Sequence, residues 1–147
     1  MLTFDLDTRK LEAALDGIKA KTEAAIRPAA QAGAQVYYDA LKAATPVSKK
    51  GHYFHGTSFK TTGTKYWFES GSLKNAVYQV YSKDSSGPTT AQYQVAWNHR
   101  KVPYGFMVAS GTSRGVKGND FVGKAKRSVQ AQAVAAMQAE LQKRVNV

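Results

Sequence analysis

A chain of 147 residues carrying a formal charge of +11 has room for one substantial hydrophobic core and little for a second. It holds no cysteine, which removes disulfides, thiolate metal sites and cysteine nucleophiles, and no run approaches the roughly 20 apolar residues that span a bilayer. The opening Met1-Leu2-Thr3-Phe4-Asp5-Leu6-Asp7 is acidic and lacks the apolar run of a secretory signal, so the expectation is a soluble chain made in the cytosol, with no membrane partner.

The charge is spread unevenly. Asp5, Asp7, Glu12, Asp16 and Glu23 make up half of the acids, whereas from Lys42 onward only Glu69, Asp84, Asp120 and Glu140 face the basic residues. One end or face must therefore be positive, and suited to a polyanion or an acidic protein surface.

In chain order, Leu2, Phe4 and Leu6 alternate with polar residues as a short half-buried strand would. A helix follows. Leu11, Leu15, Ile18 and Ile26 recur at helical multiples, and after Pro28 the stripe continues through Ala29, Gly33, Val36, Tyr37 and Leu41 until Thr45-Pro46 stops it. Pro28 either kinks one long helix or begins a second. Residues 48–72 then turn to Ser, Lys, Gly, His and Thr interleaved with Tyr53, Phe54, Phe59, Tyr66, Trp67 and Phe68. Without a sustained period this stretch reads as an extended arm, with Lys65 to Phe68 able to pair as a strand. Its aromatic residues are candidates for contact with a neighbouring subunit, because aromatic anchors dominate protein interfaces.

The clearest β signal is a hairpin. Ala76, Tyr78 and Val80 oppose Val77, Gln79 and Tyr81, a turn runs through Asp84 to Pro88, and Ala91, Tyr93, Val95 and Trp97 alternate strictly with Gln92, Gln94, Ala96 and Asn98. Pro103 and Gly111 bracket a short helix. A basic, glycine-rich loop occupies 111–118, and Asn119 or Asp120 can cap a last helix with Val129, Ala133, Val134, Met137, Leu141 and Val145 on one side. Helix, hairpin, helix makes one α+β domain over residues 1–147: an antiparallel sheet built on the central hairpin, packed by a long, kinked N-terminal helix and a C-terminal helix, with an arm at about 48–72.

Catalytic chemistry finds no seat. Gly118 to Ala125 approaches a phosphate-binding loop, but Ala125 supplies no hydroxyl for magnesium and Phe121 and Val122 are too bulky for the backbone to wrap a phosphate. His52 and His55 lie in the arm without a nearby acid before Glu69, a poor metal set. Paired carboxylates and a nucleophile elbow are missing. No cofactor and no enzyme activity is expected, with a hydrolase built on His52 and His55 the weakest alternative. Arg100, Lys101, Arg114, Lys117, Lys124, Lys126 and Arg127 cluster around the short helix with Asp120 the only acid among them, as contact with a nucleic-acid backbone requires. No base-reading motif accompanies them. A basic, sequence-independent nucleic-acid-binding protein is the alternative to a structural subunit.

Four segments in order resemble the small tail-completion or neck proteins of long-tailed phages, related to the lambda-type minor tail protein Z. They are Ala44-Thr45-Pro46-Val47, then Gly71-Ser72-Leu73 leading to Ala76-Val77, then Tyr104 to Gly111-Thr112-Ser113, and Asn119 to Ala125 around Phe121. The usual acid before Gly-Thr is replaced by Ala109 or Ser110, both prolines around Phe121 are missing, and Ser48 to Ser70 looks inserted. The resemblance implies a virion protein assembled in the host cytoplasm that forms a ring of itself, sixfold, at the head-proximal end of the tail. It would complete the tail or join it to the head, with the tail tube protein and a head-completion or connector protein as partners and phage DNA in the lumen.

Overall fold

The computed structural model describes residues 8–146; the alternation at Leu2, Phe4 and Leu6 lies outside them. Two long helices dominate, α1 (Arg9–Ala44) and α5 (Phe121–Val145), packed against each other along an antiparallel seam. Pro28 neither ends nor divides α1. It removes one helical N–H, and the carbonyl left over is that of exposed Ala24, which water can satisfy. The helix stops at Thr45, whose extended backbone suits the residue before a proline and whose buried hydroxyl donates 2.6 Å to the Leu41 carbonyl.

Small residues set how close the two helices come. Ala25, Ala29 and Gly33 of α1 are buried and spaced one turn apart, and Ala133 of α5 is fully buried. At Gly33 a Cβ would stand 2.7 Å from the Met137 side chain, so the glycine makes the space that Met137 fills.

The remaining elements gather at the C-terminal end of α1. The central hairpin pairs β3 (Val77–Tyr81) with β4 (Tyr93–Trp97), Val77 opposite Trp97 and Tyr81 opposite Tyr93. It lies against α1, with Gln79 donating 2.6 Å to Gln35 and the Arg27 guanidinium 4.2 Å from the Tyr81 ring centre. The arm is ordered: β1 (His52–His55) pairs antiparallel with β2 (Lys65–Phe68), and one turn of helix, α2 (Phe59–Thr62), joins them. Lys65 to Phe68 thus pairs as its composition allows, while its partner strand carries no sequence signal. The two hairpins are separate sheets. Two short helices, α3 (Ser72–Asn75) and α4 (Gly105–Ser110), flank the central hairpin. The core joins Leu41, Leu73, Ala76, Val77, Val102, Tyr104, Phe121 and Ala125.

The seam does not run the whole length of α1. Gly33 meets Met137, and Thr22 lines a hollow with Leu141 and Val145 near the end of α5. Residues 9–21 therefore extend beyond their partner helix, and every one is exposed. Ala25→Leu, which forces a larger side chain into a fully buried position of α1, should cost about 1–3 kcal/mol of stability by chemical denaturation, the usual cost of overpacking; Leu15→Ala should leave the monomer's unfolding midpoint close to wild type.

Candidate functional site

Two surfaces emerge at the end where both hairpins meet α4. The first is the arm. Residues on alternate positions of a strand point to opposite faces, and register sorts the arm's aromatics accordingly. His52, Phe54 and Phe68 turn inward onto Tyr104, at ring-centre distances of 4.7, 6.1 and 5.0 Å. Tyr53 and Trp67 form an edge-to-face pair 4.8 Å apart on the outer face, about half exposed, with the Lys65 ammonium 4.4 Å from the Tyr53 ring. Phe59 stacks on His55 at 4.2 Å, and Tyr66 is also exposed. The Ser70 hydroxyl donates to the Ser48 carbonyl and closes the arm's base. What the sequence presents as one aromatic run is thus an anchor, Phe54 with Phe68, an outer platform of Tyr53 and Trp67 with Phe59 stacked on His55, and Tyr66, which pairs opposite Phe54 on the inner face yet stays exposed.

The same alternation disposes of a metal site. His52 and His55 are an odd number of residues apart, so one packs on Tyr104 while the other faces outward. Among the described residues no group of three or more His, Asp or Glu could hold a metal ion.

Tyr104 is the hub that fixes the arm to the body. Burial pushes its phenol above the ordinary tyrosine range, with a hydrogen bond to the Leu73 backbone pulling the other way. Behind it, the Trp97 indole rests against Gly105, where any side chain would collide with the ring, and Trp97 in turn packs 5.8 Å from Phe121. Pro46, Gly71, Leu73 and Tyr104, four of the residues picked out by the family resemblance, surround one cleft of about 240 Å³ with His52 and Val108. Gly71 starts α3 with a left-handed φ of 83°, which drops Leu73 into the core.

The second surface is basic. Arg100 and Lys101 stand on the turn after β4, Arg114 and Lys117 on the 111–118 loop, and Lys124, Lys126 and Arg127 on the first turns of α5; all are exposed. The loop is held at its neck rather than open: the Thr112 N–H donates 2.9 Å to the Val116 carbonyl, and the Asn119 N–H 2.8 Å to that of Val108. Gly111, at φ 79°, and Gly118 pass so closely that a Cβ on Gly111 would stand 2.6 Å from the Val116 oxygen.

Asp120 caps α5, accepting from the Gly123 N–H at 2.9 Å and from Arg127 at 3.2 Å. Gly123 before Arg127 holds its carboxyl below the ordinary aspartate range. Phe121, 1% exposed, lies under the core, so the segment that approaches a phosphate loop is a helix cap. Arg127 is therefore engaged within its own chain, as is Lys124, which donates 3.2 Å to Asn119. Arg100, Lys101, Arg114 and Lys117 lie outside this cap network.

Residues 9–78 match the HK97-gp10-like family model, described as "Bacteriophage HK97-gp10, putative tail-component". The matched stretch takes in α1, the arm, α3 and the start of β3, with Pro46, Gly71 and Leu73; Tyr104, Gly111, Thr112 and Phe121 fall beyond it. Neither a curated protein nor a solved structure matches the chain.

Two measurements check the site. The depressed carboxyl of Asp120 contributes above its unfolded value near 4 and is lost as pH falls through its folded value. Asp120→Ala should therefore speed amide exchange at Gly123 and Lys124 at neutral pH and bring wild type and variant together in acid. For Tyr104 the sign is opposite: the raised phenol stabilises the fold fully below about pH 10, and that contribution is lost as pH rises through the folded value. Tyr104→Phe should flatten the alkaline limb of the stability curve.

Proposed function

We propose that this chain, whose residues 9–78 match the HK97-gp10-like tail-component family model, is a structural phage tail component and not an enzyme, and that it forms a ring at the head-proximal end of the tail. There it completes the tail tube or joins it to the head, with DNA passing through its lumen. The observation that carries this reading is the sorting of surface chemistry. Seven basic side chains and a single acid, itself consumed as a helix cap, occupy the turn, loop and helix start at one end. The arm separately presents an aromatic outer platform.

A ring requires one surface of a subunit to fit a different surface of the next. The platform of Tyr53, Trp67 and Phe59, with exposed Tyr66 on the arm's other face, suits a protein neighbour, whether the next copy, the tube protein or a connector, because exposed aromatics are the usual anchors of such contacts. Arg100, Lys101, Arg114 and Lys117, with Lys124, Lys126 and Arg127 behind them, suit the lumen. Contacts there to phosphate alone, without base readout, let a genome slide. A ring of six is the expected stoichiometry from the resemblance to tail-completion proteins.

Electron microscopy of the purified protein, alone and mixed with tail tubes, tests the reading: rings or capped tube ends are expected, and a monomer indifferent to tubes would overturn it. Replacing Arg100, Arg114 and Lys117 together by Glu should leave the unfolding midpoint unchanged, leave rings or caps intact, and lower infectivity. The alternative of a free-standing nucleic-acid-binding protein, favoured by the same scarcity of acids, predicts micromolar DNA binding by the isolated monomer that weakens steeply with salt.

A further inference from the structure

The outer face of the arm is a continuous strip. Pairing sets Tyr53 opposite Trp67 and His55 opposite Lys65, so these four side chains share that face, and Phe59 extends the line through its stack on His55. Trp67 is held without being covered. A Cβ on Gly51 would stand 2.3 Å from its Cζ2 atom, so the indole rests on bare glycine backbone, and the Tyr53 ring meets it edge to face; the residue is still 54% exposed. Exposed rings fixed in this way lose little conformational freedom when a partner arrives.

Lysines rim the strip. Lys49 and Lys50 precede Gly51 at the Trp67 end, Lys60 follows Phe59 at the other, and the Lys65 ammonium rests on the Tyr53 ring between them. No acid occurs from residue 40 to residue 68. An aromatic centre with a charged, solvated rim is the anatomy of a protein interface. Duplex DNA offers such rings nothing, because its bases are stacked inside and protein reaches it through phosphates and groove edges.

The rim fixes the sign of the partner's charge as negative, and this chain does not supply a matching surface among the described residues. Glu12, Asp16, Glu23, Asp39 and Glu140 each have a lysine or arginine three or four residues away on the same helix, so their charge is compensated where it stands. Asp84 follows Lys83, Asp120 is spent on its cap, and Glu69 belongs to the arm itself. We propose that the strip docks an acidic surface with an apolar centre on a different protein of the virion, and that copies of this chain touch one another elsewhere. The proposal rests on the ring reading above and removes the next copy from the neighbours the arm can serve.

Reversing the rim tests it. Lys49→Glu, Lys50→Glu and Lys65→Glu together should leave the unfolding midpoint and the rings seen by electron microscopy unchanged, and lower infectivity by at least about tenfold when carried by the phage, since like charges then face each other. Second-site revertants should replace an Asp or Glu of another virion protein by a neutral or basic residue. Gly51→Ala, which dislodges Trp67 and alters no charge, should show the same loss with rings intact. Rings lost in the triple variant would overturn the proposal in favour of the next copy while the ring stands, as would revertants at acids of this chain, Asp5 and Asp7 included. Micromolar binding of a single-stranded oligonucleotide that disappears in the triple variant would overturn it in favour of nucleic acid, and unchanged infectivity would overturn it outright. A wild-type protein that forms no rings, alone or on tail tubes, would remove the ring reading and this proposal with it.

Discussion

Close approach of α1 and α5 is the constraint from which the rest of the molecule follows. Ala25, Ala29, Gly33 and Ala133 have almost no side chain to separate the two backbones, so dispersion contacts along the seam run nearly helix to helix, with Met137 filling the one gap a glycine leaves. Because the contact is antiparallel, the start of α5 is brought to the end of α1. Phe121 is thereby placed beneath Trp97, and the capping network of Asp120 beside the basic loop.

A second contact, subordinate to the first, positions the functional surface. Tyr104 receives His52, Phe54 and Phe68 from the arm on one side and leans on the core on the other. A four-residue two-stranded ribbon is not stable alone in water, so the arm's outer platform owes its position to the inner aromatics. The division of labour follows from strand alternation: neighbouring aromatics in one run serve anchoring and presentation because they point to opposite faces. The resemblance-bearing residues Pro46, Gly71 and Leu73 belong to the same hub, which gives them a packing role in holding the arm.

The molecule is polarised along its long axis. At one end stand the basic turn, loop and helix start. The other end is a bare length of helix whose leucines and isoleucine would each gain about 1.5–3 kcal/mol on burial relative to exposure. A monomer that leaves that much burial unrealised has apolar surface to offer a partner.

Much of this fold was legible from local pattern. Helical spacing of apolar residues marked α1 and α5, strict alternation at Tyr93, Val95 and Trp97 marked β4, and the Pro103 and Gly111 pair bracketed α4, because backbone periodicity writes itself into the order of residues wherever one face is buried. Asp120 was one of two candidate caps and proved to be the one. The basic cluster was likewise visible, being a matter of composition.

Tertiary structure alone decided the rest. Strand β1 has only four residues and its pairing with β2 spans a turn of helix, so no local period announced it. Which basic side chains are engaged depended on where Asp120 and Asn119 came to lie. Leu11 and Leu15 obey the same helical spacing as Leu41, and Val134 seemed to belong to the inner side of α5 with Ala133. Yet Leu41 is core while the other three face solvent, because periodicity records that a face is apolar and only the length and placement of the opposing helix determine what covers it.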